Sequence, residues 1–127
     1  MSRGKEIMLV VGEASGDMHG ASLVKELMKR DPNLTFFGVA GDQLQRTRFE
    51  PLFTVSELTG MGLLELAGNI KNIVAAYRLL RRTLRTRRPS LLILIDFPEL
   101  NLRLAKLAKS LGVPVLYYVS PQVWAWR

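Results

Sequence analysis

Four stretches of the chain are apolar almost without interruption, and the intervals between them place apolar residues at helical spacing. Ile7–Val11, Thr35–Ala40, Leu91–Ile95 and Val113–Val119 are continuous runs, with none of the in-and-out alternation of a half-exposed strand. Runs of that kind mark strands buried on both faces. Between the first two, residues from Ser15 or Gly16 to Arg30 carry Ala21, Leu23, Val24, Leu27 and Met28, and Asp31-Pro32 ends the pattern. A longer helix is predicted from Asn69 to Arg87, ahead of Pro89, and a third from Leu100 to Leu111 with Gly112 at its end. Residues 42–68 are the least regular; Phe53-Thr54-Val55 reads as a short strand and Gly60-Met61-Gly62 as a loop. Strand and helix in alternation predict an open parallel α/β sheet with flanking helices and right-handed crossovers.

In such a sheet ligands sit beyond the carboxyl ends of the strands. Four segments fall there: Gly12–Asp17, Gly41–Asp42, Asp96–Asn101 and Ser120–Arg127. Gly12-Glu13-Ala14-Ser15-Gly16-Asp17 offers two glycines for a tight turn and a helix start whose amides suit a phosphate or sugar oxygen. It is neither GxGxxG nor a P-loop, and Ser15 or Asp17 as a helix cap explains it equally well. Glu13, a carboxylate at a strand end with no capping task, favours function. Asp96 closes five apolar residues; burial there calls for a donor or a ligand, and such a carboxylate suits a general base as well as it suits a plain strand terminus or cap. In Ser120-Pro121-Gln122-Val123-Trp124-Ala125-Trp126-Arg127 the indoles can stack on sugar faces and Arg127 can hold a phosphate, or the tryptophans can pack under the sheet. His19, the one histidine, reads as structural or solvent-facing.

Composition sharpens this reading in two ways. With 48% hydrophobic residues the chain can bury a core, and with no cysteine it excludes disulfides, thiolate metal sites and cysteine nucleophiles. The net charge of +7 is concentrated: Lys71, Arg78, Arg81, Arg82, Arg85, Arg87 and Arg88 belong to one helix that carries no acid, and the rest of the chain is balanced. At about 100° per residue, Ile73, Tyr77, Leu80 and Leu84 share one face, and Lys71, Arg78, Arg82 and Arg85 form a stripe read as lying beside it. Such a stripe is either a solvated face or a surface for anionic lipid headgroups. No apolar run approaches the roughly 20 residues of a membrane span, and the polar start Met1–Glu6 does not read as a signal peptide. A binding module for anionic lipid or nucleotide without catalysis fits these features too.

The motifs, taken in order, resemble lipid-A-disaccharide synthases. They are GEASGD at Gly12–Asp17 followed by Gly20-Ala21, MGLLE at Met61–Glu65, IDFPELN at Ile95–Asn101, and YVSPQVWAWR at Tyr118–Arg127. The resemblance implies an inverting glycosyltransferase of the GT-B type, with two Rossmann-like domains facing a cleft. It implies transfer of 2,3-diacylglucosamine from UDP-2,3-diacylglucosamine to 2,3-diacylglucosamine 1-phosphate, giving the β-1,6 disaccharide and UDP. No metal and no cofactor is implied, no nucleic acid partner is expected, and the location implied is peripheral, on the cytoplasmic face of the bacterial inner membrane. Residues 1–127 then correspond to an incomplete N-terminal acceptor-side domain, without the UDP-binding domain. By position, Asp96 is implied as general base. Glu13, Ser15, Gly16, Asp17, Met61, Asn101, Ser120, Trp124 and Arg127 are implied to contact substrate. Lys71, Arg78, Arg81, Arg82 and Arg85 face the anionic membrane surface in this reading. The chain departs from the family pattern at Asp42–Arg48, where GGPxM is usual, at Phe97 in place of Ala, and at Glu99 in place of Asp.

Overall fold

The computed structural model describes residues 5–59 and 66–119. Strands β1 (Glu6–Val11), β2 (Thr35–Ala40), β3 (Phe49–Thr54), β4 (Leu91–Ile95) and β5 (Val115–Tyr118) are interleaved with α1 (Ala14–Arg30), α2 (Asp42–Gln45), α3 (Val55–Thr59), α4 (Leu66–Arg87) and α5 (Pro98–Ser110). The strands form one sheet in the order β3-β2-β1-β4-β5, and every described pairing is parallel. This is the open, Rossmann-like α/β sheet that the apolar runs predict.

Each face of the sheet is covered over β1, β2 and β4, which is why these strands do not alternate in polarity, whereas the edge strand β5, expected to be buried on both faces, leaves Leu116 and Tyr118 exposed. Met8, Val10, Phe37, Val39, Leu92 and Leu94 meet Leu80 and Leu84 of α4 and Leu100, Leu104 and Ala108 of α5. On the other side Ile7, Leu9, Val11, Phe36, Ala40, Ile93 and Ile95 meet Ala21 and Val24 of α1 and Leu44 of α2. Most of these side chains are fully buried. Truncating one such leucine to alanine costs about 2–5 kcal/mol.

The edges of the sheet differ from the expectation. β3 begins at Phe49, before the expected Phe53, and Val55 opens α3 instead of closing the strand. Glu50 and Pro51 interrupt the apolar pattern, which an edge strand tolerates because its outer backbone has no ladder to make. The pairing of β2 with β3 shifts between Gly38 and Val39, opposite this segment. The four-residue helix α2 was not anticipated at all.

The basic helix divides into two parts. At its carboxyl end Arg87 pairs with Glu6 and Glu50, tying α4 to the starts of β1 and β3, and its guanidinium lies 3.7 Å from the centre of the Phe37 ring. The hydrogen bond to Glu6 is the largest effect raising the Arg87 pKa above its ordinary value. Arg88 donates to the Leu111 carbonyl at 3.1 Å. Both are structural cations. Lys71, Arg78, Arg82 and Arg85 are exposed, while Leu80 and Leu84 are fully buried. The stripe therefore faces away from the core, on the side opposite the apolar face and not beside it. Exposed Val74 and Leu79 flank it, and half-buried Arg81 lies over the Tyr77 ring. Among the described residues no helix is long and apolar enough to cross a membrane.

Candidate active site at the strand switch point

The strand order reverses at β1. The chain leaves it to build β2 and β3 on one side, then returns to place β4 and β5 on the other. Crevices beyond the carboxyl ends of an open α/β sheet form at such a reversal. Val11 and Ile95 are partners across β1 and β4, so Gly12 and Asp96 emerge side by side. The two richest motifs of the chain meet there.

Asp96 and Phe97 both adopt left-handed backbone conformations, with φ of 51° and 50°. For residues other than glycine each such conformation costs on the order of 1–3 kcal/mol and persists only where surrounding bonds enforce it. The Asp96 N–H donates to the Tyr118 carbonyl at 2.9 Å. The Asp96 carbonyl accepts from the Asn101 side-chain amide at 2.9 Å and from the Tyr117 hydroxyl at 3.0 Å. Asn101 also reaches the Ile95 carbonyl at 3.3 Å. Pro98 follows as the first residue of α5, consistent with a preceding residue pushed out of helical geometry. The Phe97 ring lies against Gly12 so closely that a Cβ at position 12 would overlap it. Only glycine fits beneath that ring. Asp96 itself is 8% exposed.

Two helix starts converge at this corner. Glu13 at the N-cap of α1 and Phe97 at the N-cap of α5 make no side-chain capping bond. Positive helix ends without carboxylate or hydroxyl caps favour anionic or oxygen-rich ligands. Glu13 and Ser15 are exposed here, as a ligand-facing loop requires. Gly16 is buried; a Cβ there would lie 3.2 Å from Ile95 Cγ2, so this glycine lets α1 approach the sheet.

Asp17 corrects the sequence reading of this loop. It is 3% exposed and does not cap its own helix. Its carboxylate accepts from the backbone N–H groups of Gly41 at 3.0 Å, Gln43 at 2.7 Å and Leu44 at 2.9 Å. It therefore holds the start of α2 and fixes the floor of a cavity of about 690 Å³, which Ser15, Asp42, Gln43, Thr54 and Ser56 also line. Asn101 needs a similar correction. Expected to contact substrate, it is fully buried, and its amide group braces the carbonyl ends of the β4 turn. Its side-chain oxygen has no hydrogen-bond partner among the described residues.

Met61, Ser120, Trp124 and Arg127 lie outside the described residues. His19 is exposed and stacks edge-on against Tyr118, with ring centres 5.4 Å apart. Among the described residues no group of three His, Cys, Asp or Glu side chains is placed to hold a metal ion. Two residues that sequence reasoning passed over belong to this corner. Phe97 fixes the approach of the two loops, and Tyr117 holds the Asp96 carbonyl. Burial, then the negative charges of Asp96 and Glu99, raise the Tyr117 pKa above the ordinary 10.0, so the phenol remains a donor at neutral pH.

The fold has a solved counterpart among sugar-transferring enzymes. The crystal structure of CalG4, the calicheamicin glycosyltransferase, superposes with a TM-score of 0.65 at 21% identity, over 94% of this chain and 31% of that one. That likeness concerns the fold. At the level of sequence, the family profile for lipid-A-disaccharide synthetase matches residues 7–127, and the chain belongs to that family. The lipid-A-disaccharide synthase of Geobacter metallireducens is 50% identical over 123 residues, which are 97% of this chain and 32% of that protein. The enzyme of Syntrophotalea carbinolica is 52% identical over 124 residues, again 97% and 32%. That of Nitrosococcus oceani is 50% identical over 121 residues, 95% and 31%. The chain thus spans about a third of the length of the curated relatives it matches.

Proposed function

We propose that this chain is the N-terminal acceptor-side part of an inverting glycosyltransferase of lipid A biosynthesis. The reaction is transfer of 2,3-diacylglucosamine from its UDP derivative to 2,3-diacylglucosamine 1-phosphate, forming a β-1,6 bond and releasing UDP. The observation that carries this reading is Asp96, on an enforced left-handed turn at the strand switch point, in a chain of this family. In the reaction the acceptor 6-hydroxyl attacks the anomeric carbon from the face opposite the leaving group. Its proton passes to the Asp96 carboxylate, and the bond to the UDP oxygen breaks as the new one forms. The converging starts of α1 and α5 supply positive ends beside the acceptor, with Glu13 and Ser15 on the exposed rim. Neither metal nor organic cofactor takes part. Carboxylate catalysis by a single base contributes about 10²- to 10⁴-fold. Asp96→Asn in a full-length protein containing this chain should lower kcat by that range with both diacyl sugars present. Near-normal turnover would remove Asp96 from the role.

The membrane face in this reading is the outward stripe Lys71, Arg78, Arg82 and Arg85, with Val74 and Leu79 beside it and Arg81 at its margin. In this reading the protein is peripheral on the cytoplasmic face of the inner membrane, where its acylated substrates reside. Sedimentation with vesicles of phosphatidylglycerol and of phosphatidylcholine tests it: binding should prefer the anionic vesicles and weaken with salt.

A further inference from the structure

Of the two residues that impose the left-handed turn at Asp96, one closes the motif that contains it and the other lies outside it. The Asp96 carbonyl takes two hydrogen bonds, from Asn101 on α5 and from Tyr117 on β5. These occupy both lone pairs and fix the plane of the peptide that joins Asp96 to Phe97. That plane sets the outgoing torsion of Asp96 and the incoming torsion of Phe97, whose φ is 50°. Tyr117 is held in turn by its register, opposite Leu94, and by packing of its half-buried ring against the core. Its hydroxyl is the only part of the side chain that a phenylalanine would lack.

We propose that Tyr117 is a positioning residue for Asp96: its hydroxyl, together with the Asn101 amide, locks the 96–97 peptide and thereby orients the Asp96 carboxylate towards the reacting acceptor hydroxyl. The inference rests on the reading of Asp96 as general base. It explains why a strained turn needs a donor from a neighbouring strand: α5 alone supplies one bond to this carbonyl, and a second from β5 removes the remaining rotation. A shift of the base by a fraction of an ångström to one ångström lowers the rate by about ten- to a hundredfold without a matching loss of substrate affinity.

The test is Tyr117→Phe in a full-length protein containing this chain, because it keeps the ring and removes one bond. The expected result is a kcat about tenfold lower with KM within about twofold. Amide hydrogen exchange should quicken about tenfold at Leu100 and Asn101, whose N–H groups bond to the Phe97 carbonyl, and stay unchanged in β1 and β2. In an Asp96→Asn background the same substitution should add no further loss, since a residue that acts only through another is non-additive with it. An unchanged kcat, a change confined to KM, or full additivity with Asp96→Asn would overturn the proposal. Failure of the underlying reading looks different: Asp96→Asn would itself turn over normally, while the exchange measurement would still report whether Tyr117 holds the turn.

Discussion

Asp17 and Asp96 sit at the same end of the same sheet, in the two most information-rich motifs of the chain, and both are more than nine-tenths buried. Their surroundings assign them different tasks. At Asp17 the side chain makes the bonds: three backbone amides of the α2 start converge on its carboxylate, within relaxed helical backbone. At Asp96 the backbone itself is held, its carbonyl and N–H both bonded, while φ is forced to 51°. One aspartate is an architectural anion. The other occupies a conformation that relaxes unless the fold prevents it, which is the arrangement expected where a side chain must be aimed. Burial alone does not separate the two carboxylates; the enforced left-handed backbone at Asp96 does.

The comparison breaks if the two substitutions behave alike. Asp96→Asn should act on turnover, by about 10²- to 10⁴-fold in kcat, and shift the urea midpoint less than Asp17→Ala does. Asp17→Ala should act on stability, by about 3 kcal/mol, because it leaves three backbone donors at the α2 start without their acceptor. Asp17→Asn, which keeps an acceptor oxygen, should recover part of that loss in the same urea titration. Gly12→Ala should cost about 2 kcal/mol through its overlap with the Phe97 ring. A double variant with Phe97→Ala should cost less than the sum of the two, and additivity in that cycle would mean the ring does not lie where the structure puts it. The smallest effect is expected at the stripe. Arg82→Gln should weaken binding to anionic vesicles by about 1 kcal/mol, with stability unchanged within about 0.5 kcal/mol.

Much of this corner was legible in the sequence, and the limits of that legibility have physical causes. Central strands are buried on both faces, so β1, β2 and β4 appear as unbroken apolar runs. The edge strand β3 carries Glu50 and Pro51 and hides in the same kind of search. The position of Asp96 at the end of an apolar run was enough to single it out as a candidate. The task of Asp17 was not readable, since its partners lie 24 to 27 residues further along the chain and are backbone atoms without a side-chain signature. Asn101 looked like a polar residue beside a cleft because i+5 spacing from Asp96 suits either an outward ligand contact or an inward brace. Only packing of α5 against the sheet decides between them. Tyr117 gave no signal, because a tyrosine in an apolar strand reads as core until its hydroxyl is given a partner.

The strand order has a consequence for how the site comes into being. β1 finds β2 through a short crossover, but its other neighbour, β4, arrives only after α4 has been laid down; the pair Glu6 and Arg87, which closes that interval at the opposite end of the sheet, is separated by 81 residues. Closing so long a loop is slow relative to local pairing. The half-sheet β1–β2–β3 can therefore assemble first, with the Asp17 clamp already in place. The meeting of Gly12 with Phe97, and with it the placement of Asp96, waits on that longer closure. An emerging polypeptide would carry a finished α1–α2 corner well before the corner at Asp96 had formed.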